Sequence, residues 1–216
     1  QTEPEGLDVN VGGEVETTIC VNIPETETRA GGNNSAEGIF SNGLLTAEGN
    51  NLTMRYILQI FDANERPSDA VYVAYSDNKN VSFDVRLVPG RHYSFVVWAD
   101  VVKEQGKVNG VYSAADDIHY KTNNGENGTI NLRKITLNDT SWEAMDETRD
   151  AFTGVYNTAV EEDKTPYVGS KSINVVLKRP FAKLRVVTTD IAALTNLGIT
   201  PDNAVVEYTT PSYTEF

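Results

Sequence analysis

The stretch VSFDVRLVPGRHYSFVVWAD, Val81 to Asp100, decides the class of fold. Val81, Phe83, Val85 and Leu87 alternate with Ser82, Asp84 and Arg86, which gives an extended chain one apolar and one polar face. Pro89-Gly90 is a turn signal. Beyond it, Tyr93, Phe95 and Val97 lie opposite Val96 and Trp98 in a second strand. Two strands flanking a Pro-Gly turn read as a β-hairpin.

The same period of two recurs on either side. In VETTICVNI, the residues Val15, Thr17, Ile19, Val21 and Ile23 share one face, and Glu16, Thr18, Cys20 and Asn22 share the other. Pro24 ends that strand. In MRYILQIFD, Met54, Tyr56, Leu58 and Ile60 alternate with Arg55, Ile57, Gln59 and Phe61, which predicts an interior strand covered on both faces. AVYVAYS (70–76), SINVVLK (172–178), FAKLRVVTT (181–189) and residues 204–208 read as further strands, with short β pieces near Val111–Tyr112 and Thr129–Leu132. NDTSWEAMDETRDAFTG predicts one helix over 139–153: Asp139 or Ser141 caps it, Trp142, Met145 and Phe152 form its buried stripe, and Gly154 stops it. A second, short helix is expected over Ile191–Leu197. Helices do not alternate with the strands, so the class is all-β with one helix insertion, a β-sandwich rather than a βαβ fold. Residues 1–14 read as a flexible N-terminal tether and 15–180 as the sandwich, within which 25–53 is linker-rich. Residues 181–216 supply its last strands or the start of a second β-domain.

Little in the chain reads as chemistry. A net charge of −13 argues against nucleic-acid binding, which needs Lys and Arg to displace counterions. A single cysteine, Cys20, excludes an intrachain disulfide and reads as a small hydrophobe within a strand. There is no run of about 18 apolar residues to span a membrane as a helix. The chain starts at Gln1 without Met and is read as a processed or trimmed product. Asp116, Asp117 and His119 make the best metal-like group, but they lack calcium-loop spacing and read as structural or solvated. No nucleophile motif, phosphate-binding loop or H-E-x-x-H occurs. Sequons at Asn33, Asn51, Asn80, Asn127 and Asn138 matter only in a cell that glycosylates them. Tyr56, Phe83, Tyr93, Phe95 and Trp98 fit core alternation better than a sugar-binding surface. No catalytic residue, metal ligand or cofactor is expected.

Four features in order carry a family resemblance. These are the early strand followed by TRAGG (28–32), the LVPGRHYSFVVWAD segment (87–100), WEAMDETRDAFTG (142–154) and VVLKRPFAKLRVVTTD (175–190). Together they resemble the fimbrillin-like surface proteins of Bacteroides-type bacteria over residues 15–216. The resemblance implies two transthyretin-like, Greek-key β-sandwich domains and an exported lipoprotein anchored at the outer membrane by a lipid absent from this chain. It further implies that an Arg-specific protease removes the N-terminal strand. The groove so opened is filled by a strand from a neighbouring subunit, whose main chain pairs with the edges while alternate side chains fill pockets. Carried over, the removable strand is Val15–Ile23 with its inner residues Val15, Thr17, Ile19, Val21 and Ile23, and the scissile bond is Arg29–Ala30. The expected partners are other fimbrial subunits, with a host surface protein or glycan at the cell surface. The alternative is a monomeric outer-membrane lipoprotein that binds glycan or host protein and keeps its first strand. Ending at Phe216 leaves too little chain for a second sandwich, which puts self-polymerisation through a C-terminal donor strand in question.

Overall fold

Each of the five alternating stretches up to Asp100 forms a strand in the computed structural model, which describes residues 13–24, 40, 52–103, 110–138, 146–158, 166–180 and 195–198. These are β1 (Val15–Asn22), β2 (Leu52–Asp62), β3 (Pro67–Tyr75), β4 (Asn80–Leu87) and β5 (Tyr93–Lys103). Further along come two short strands, β6 (Tyr120–Lys121) and β7 (Thr136–Leu137), then β8 (Ala151–Asn157) and β9 (Ser172–Val176).

Three strands in the order β4-β1-β9 make one sheet, four in the order β3-β2-β5-β8 make the other, and β6-β7 form a small ribbon. The four-stranded sheet is antiparallel throughout. The two larger sheets pack face to face as an all-β sandwich. Ile19 and Val21 from β1 and Ile23 just beyond it, with Phe83, Val85 and Leu87 beside them, meet Tyr56, Leu58, Phe95, Val97 and Phe152 in one core. β2 is buried on both faces, as its doubly apolar pattern requires. Its other face forms a second cluster, in which Ile57, Phe61, Val96 and Trp98 are covered by Tyr120, Ile130 and Leu132. The chain divides into two compact units, Gln1–Ala182 and Lys183–Phe216, and the sandwich belongs to the first. In the second, Gly198 N–H donates to the Thr195 carbonyl at 3.0 Å to close a turn.

Three expectations are corrected. The strands flanking Pro89-Gly90 are not a hairpin: β4 pairs with β1, whereas β5 pairs with β2 and β8. The segment 88–92 is an arch between the layers. Its polar groups bond elsewhere, with Gly90 N–H donating to the Tyr167 carbonyl at 2.8 Å and Val88 N–H to the Tyr93 hydroxyl at 3.0 Å. The physical reason lies in the two patterns. β4 is buried on alternate residues only and suits a sheet with one wet face, while β5 is buried on both faces and needs the centre of the covered sheet.

The helix expected over 139–153 is also replaced where it can be seen. Glu147–Arg149 form a single 3-10 turn, and Ala151 onward is β8, paired with β5 from Ser94↔Asn157 to Asp100↔Ala151. Phe152 reaches the core from a strand, so the free edge of β5 overrides local helix propensity. Gly154 stops no helix. It sits where β8 passes β9, and a Cβ there would lie 2.5 Å from the Val176 carbonyl oxygen. Close by, Thr153 and Lys178 exchange backbone hydrogen bonds at 2.8 Å and join the two sheets at that corner. Asp139, Ser141, Trp142 and Met145 lie outside the described residues. Finally, the β pieces near 111–112 and 129–132 are irregular chain; the short pairing is Tyr120↔Leu137 and Lys121↔Thr136.

Candidate functional site

β1 occupies the middle of the three-stranded sheet. It runs antiparallel to β4 over its whole length, from Val15↔Leu87 to Asn22↔Asn80, and parallel to β9 from Thr18↔Ser172 to Asn22↔Val176. Both edges of the strand are therefore hydrogen-bonded, and β4 and β9 meet only through it. The alternation read from the sequence gives its two faces. Thr17, Ile19, Val21 and Ile23 are buried and Val15 is half-buried, while Glu16, Thr18, Cys20 and Asn22 point away from the core. Burying Ile19, Val21 and Ile23 stabilises the sandwich by about 1.5–3 kcal/mol each.

One inner residue is polar. Thr17 is 1% exposed, and its Oγ1 lies within hydrogen-bonding reach of the Tyr167 hydroxyl and at 3.0 Å from the Ser170 carbonyl oxygen. On the outer face, Thr18 Oγ1 donates to Asp84 at 2.8 Å and Asn22 Nδ2 to Asn80 at 2.5 Å. Glu16 and Arg86 approach to 3.9 Å with both side chains largely in water, a pairing worth little. Cys20 is half-buried there, with Ser82 and Asn174 as its cross-strand neighbours. Arg29 and Ala30 lie outside the described residues.

The Asp116, Asp117 and His119 group is split between three tasks. Asp116 accepts from the Tyr75 hydroxyl at 2.8 Å. Asp117 accepts from Arg55 Nη2 at 2.8 Å and from the Thr122 backbone N–H at 2.9 Å. His119 Nε2 lies 2.8 Å from Thr148 Oγ1 and 3.8 Å from Asp146. Among the described residues no three His, Cys, Asp or Glu side chains are grouped to hold a metal ion.

Arg55 and Asp100 were invisible as a pair in the sequence, where each is one polar residue in an apolar strand. Arg55 Nε and Nη2 grip the two carboxylate oxygens of Asp100 at 2.9 and 2.7 Å, with both side chains at most 1% exposed. Burial alone would lower the Arg55 pKa, but Asp100 and Asp117 more than reverse that and hold it above its usual value. Burial likewise pushes the Asp100 carboxyl up against the pull of Arg55. These opposite pressures act on one dry ion pair, and the two-pronged geometry favours the charged form of both partners. The pair anchors the segment 113–122 on the outer face of the four-stranded sheet. Gln59 does the same further along, donating to the Ile130 carbonyl at 3.2 Å and accepting from Leu132 N–H at 2.9 Å.

A family model matches residues 8–216, nearly the whole chain. The chain belongs to the DUF6562 family, a family of unknown function. No curated protein and no solved structure matches it. For this DUF6562 chain, the first strand and the slot it fills are therefore weighed on their own geometry.

Proposed function

We propose that the chain is a non-enzymatic structural and adhesive subunit of cell-surface fimbriae, assembled by strand complementation after Arg-specific cleavage at Arg29–Ala30. One observation carries the reading. β1 is the first of the described strands, is central to its sheet, and presents an apolar inner face between two strands that join that sheet through it. After a cut anywhere in 25–51, β1 is held by hydrogen bonds and packing alone. Its departure exposes the slot between β4 and β9, and a strand from another subunit restores both ladders and refills the pockets. The resemblance to fimbrillin-like proteins supplies the setting, a lipid-anchored protein at the outer membrane.

Brief treatment of the full chain with an Arg-specific protease tests the proposal, read by intact mass and size-exclusion chromatography. The expected outcome is one cut after Arg29, a folded remainder, and self-association or uptake of a donor peptide once residues 1–29 leave. Cutting elsewhere, or unfolding without any gain of association, overturns it.

A second reading is favoured by the outer face of the three-stranded sheet. Asn22, Asn80, Ser82 and Asn174 line a shallow hollow there beside Cys20 and the exposed Val176, so polar groups flank an apolar floor, chemistry that suits a glycan or a host-protein surface. On that reading the protein is a monomeric outer-membrane lipoprotein that retains β1. Glycan-array binding by monomers with β1 still in place would favour it over exchange.

A further inference from the structure

Hydrophobic patterning tells the slot between β4 and β9 which face of a strand to bury, but not which register to take. A slip of one residue turns the apolar set outward and is rejected. A slip of two keeps the same face inward, and Ile19, Val21 and Ile23 are similar enough in size to exchange places with little penalty. Thr17 is the one polar residue among the buried inner positions of β1. Only at its position do two registers differ in chemistry rather than in a methyl group.

We infer that Tyr167 and Ser170 form a register pin, so that the slot selects a partner strand of the form Ser/Thr-x-aliphatic-x-aliphatic-x-aliphatic running antiparallel to β4. The inference rests on the exchange reading above and names the segment that fits the same site. The Thr17 hydroxyl, the Tyr167 hydroxyl and the Ser170 carbonyl make a closed group of three, with Thr17 to Ser170 at 3.0 Å and Tyr167 to Ser170 at 3.1 Å. The two hydroxyl protons serve it in either sense: one hydroxyl donates to the carbonyl and the other donates to that hydroxyl. An aliphatic side chain at this position takes a partner from the hydroxyl of Tyr167, a residue only 3% exposed, and leaves it the Ser170 carbonyl alone.

The tyrosine half of the pin is built without help from β1. Tyr167 N–H donates to the Arg91 carbonyl and the Tyr167 carbonyl accepts from Gly90 N–H, both at 2.8 Å, so the arch holds its backbone. Its ring stands edge-on to Tyr93 at 6.0 Å between centroids. Gly169 has a φ of +87°, a left-handed conformation that favours glycine, and this turn leads into Ser170 beside the start of β9. A slot emptied of β1 therefore keeps the Tyr167 hydroxyl already placed, while Ser170, next to the Lys171 carbonyl that accepts from Thr18 N–H at 3.0 Å, is drawn in by the incoming strand.

Competition by synthetic strands tests this on the full chain clipped at Arg29. Labelled peptides spanning residues 15–23 are offered in three forms: unchanged, Thr17→Ser and Thr17→Val, with binding followed by fluorescence anisotropy. The serine peptide is expected to match the parent within about twofold. The isosteric valine peptide is expected to bind about fivefold more weakly, the loss of one net hydrogen bond. Valine binding as tightly as threonine overturns the pin and leaves strand exchange standing. If no peptide displaces the clipped strand, exchange itself fails and the pin fails with it.

Discussion

The two faces of the four-stranded sheet are sealed in opposite ways. On the inner face the cover is itself a sheet, and Tyr56, Leu58, Phe95, Val97 and Phe152 meet the aliphatic rows of β1, β4 and β9. On the outer face the cover is mostly irregular chain from 110 to 138, which carries only the short ribbon β6-β7. A sheet satisfies its own backbone and needs only apolar contact to be held. Irregular chain brings unpaired N–H and C=O groups, and these must find partners if they are buried. Hence the outer face carries Arg55, Gln59 and Asp100 among its apolar residues, whereas the sheet that covers the inner face brings one buried polar side chain on β1, Thr17. A strand cover is held along continuous ladders; the irregular cover is stitched at separate points.

That contrast can be broken from either side. The largest effect is expected for Arg55→Met, which strands Asp100 and Asp117 in the interior and costs about 3–5 kcal/mol. Urea denaturation checks the size. Amide exchange checks the place, since residues 113–122 should lose protection before β1 does. Next comes Ile19→Ala, which opens a cavity in the inner core for about 2–4 kcal/mol. It should also hasten release of the clipped N-terminal fragment, while protection along 113–132 stays unchanged. Gln59→Leu leaves the Ile130 carbonyl and Leu132 N–H without their partner and should cost about 1–3 kcal/mol, with faster exchange at the Leu132 amide. Smallest is Glu16→Gln at the exposed Glu16–Arg86 pair, expected to move stability by less than about 0.5 kcal/mol. A large loss there would mean that the outer face of β1 contributes more than its exposure allows.

Legibility in the sequence followed the same divide. The inner face was readable because burial of one side of a strand leaves a period of two, and β1 and β4 both show it. The core placement of Tyr56, Phe83, Phe95 and Trp98 was readable for the same reason. The outer cover was not. Asp117 reads as a loop carboxylate until Arg55, 62 residues away, is brought to it, and Arg55 and Asp100 stand 45 residues apart. Tyr167 and Ser170 went unremarked because neither lies in a patterned stretch. Gly169, with its positive φ, was the available signal that the chain turns sharply there.

The sequence by itself determined the all-β class, the two faces of the first strand and the doubly buried character of β2. Each of these follows from local geometry, since side chains alternate along any extended chain. Only the tertiary structure decided that the Pro89-Gly90 segment is an arch, that Ala151–Asn157 is a strand, and that Thr17 meets Tyr167 and Ser170. Those outcomes depend on competition among all strand edges for partners. The chain on either side of a turn cannot record which edge, some 60 or 150 residues away, will win.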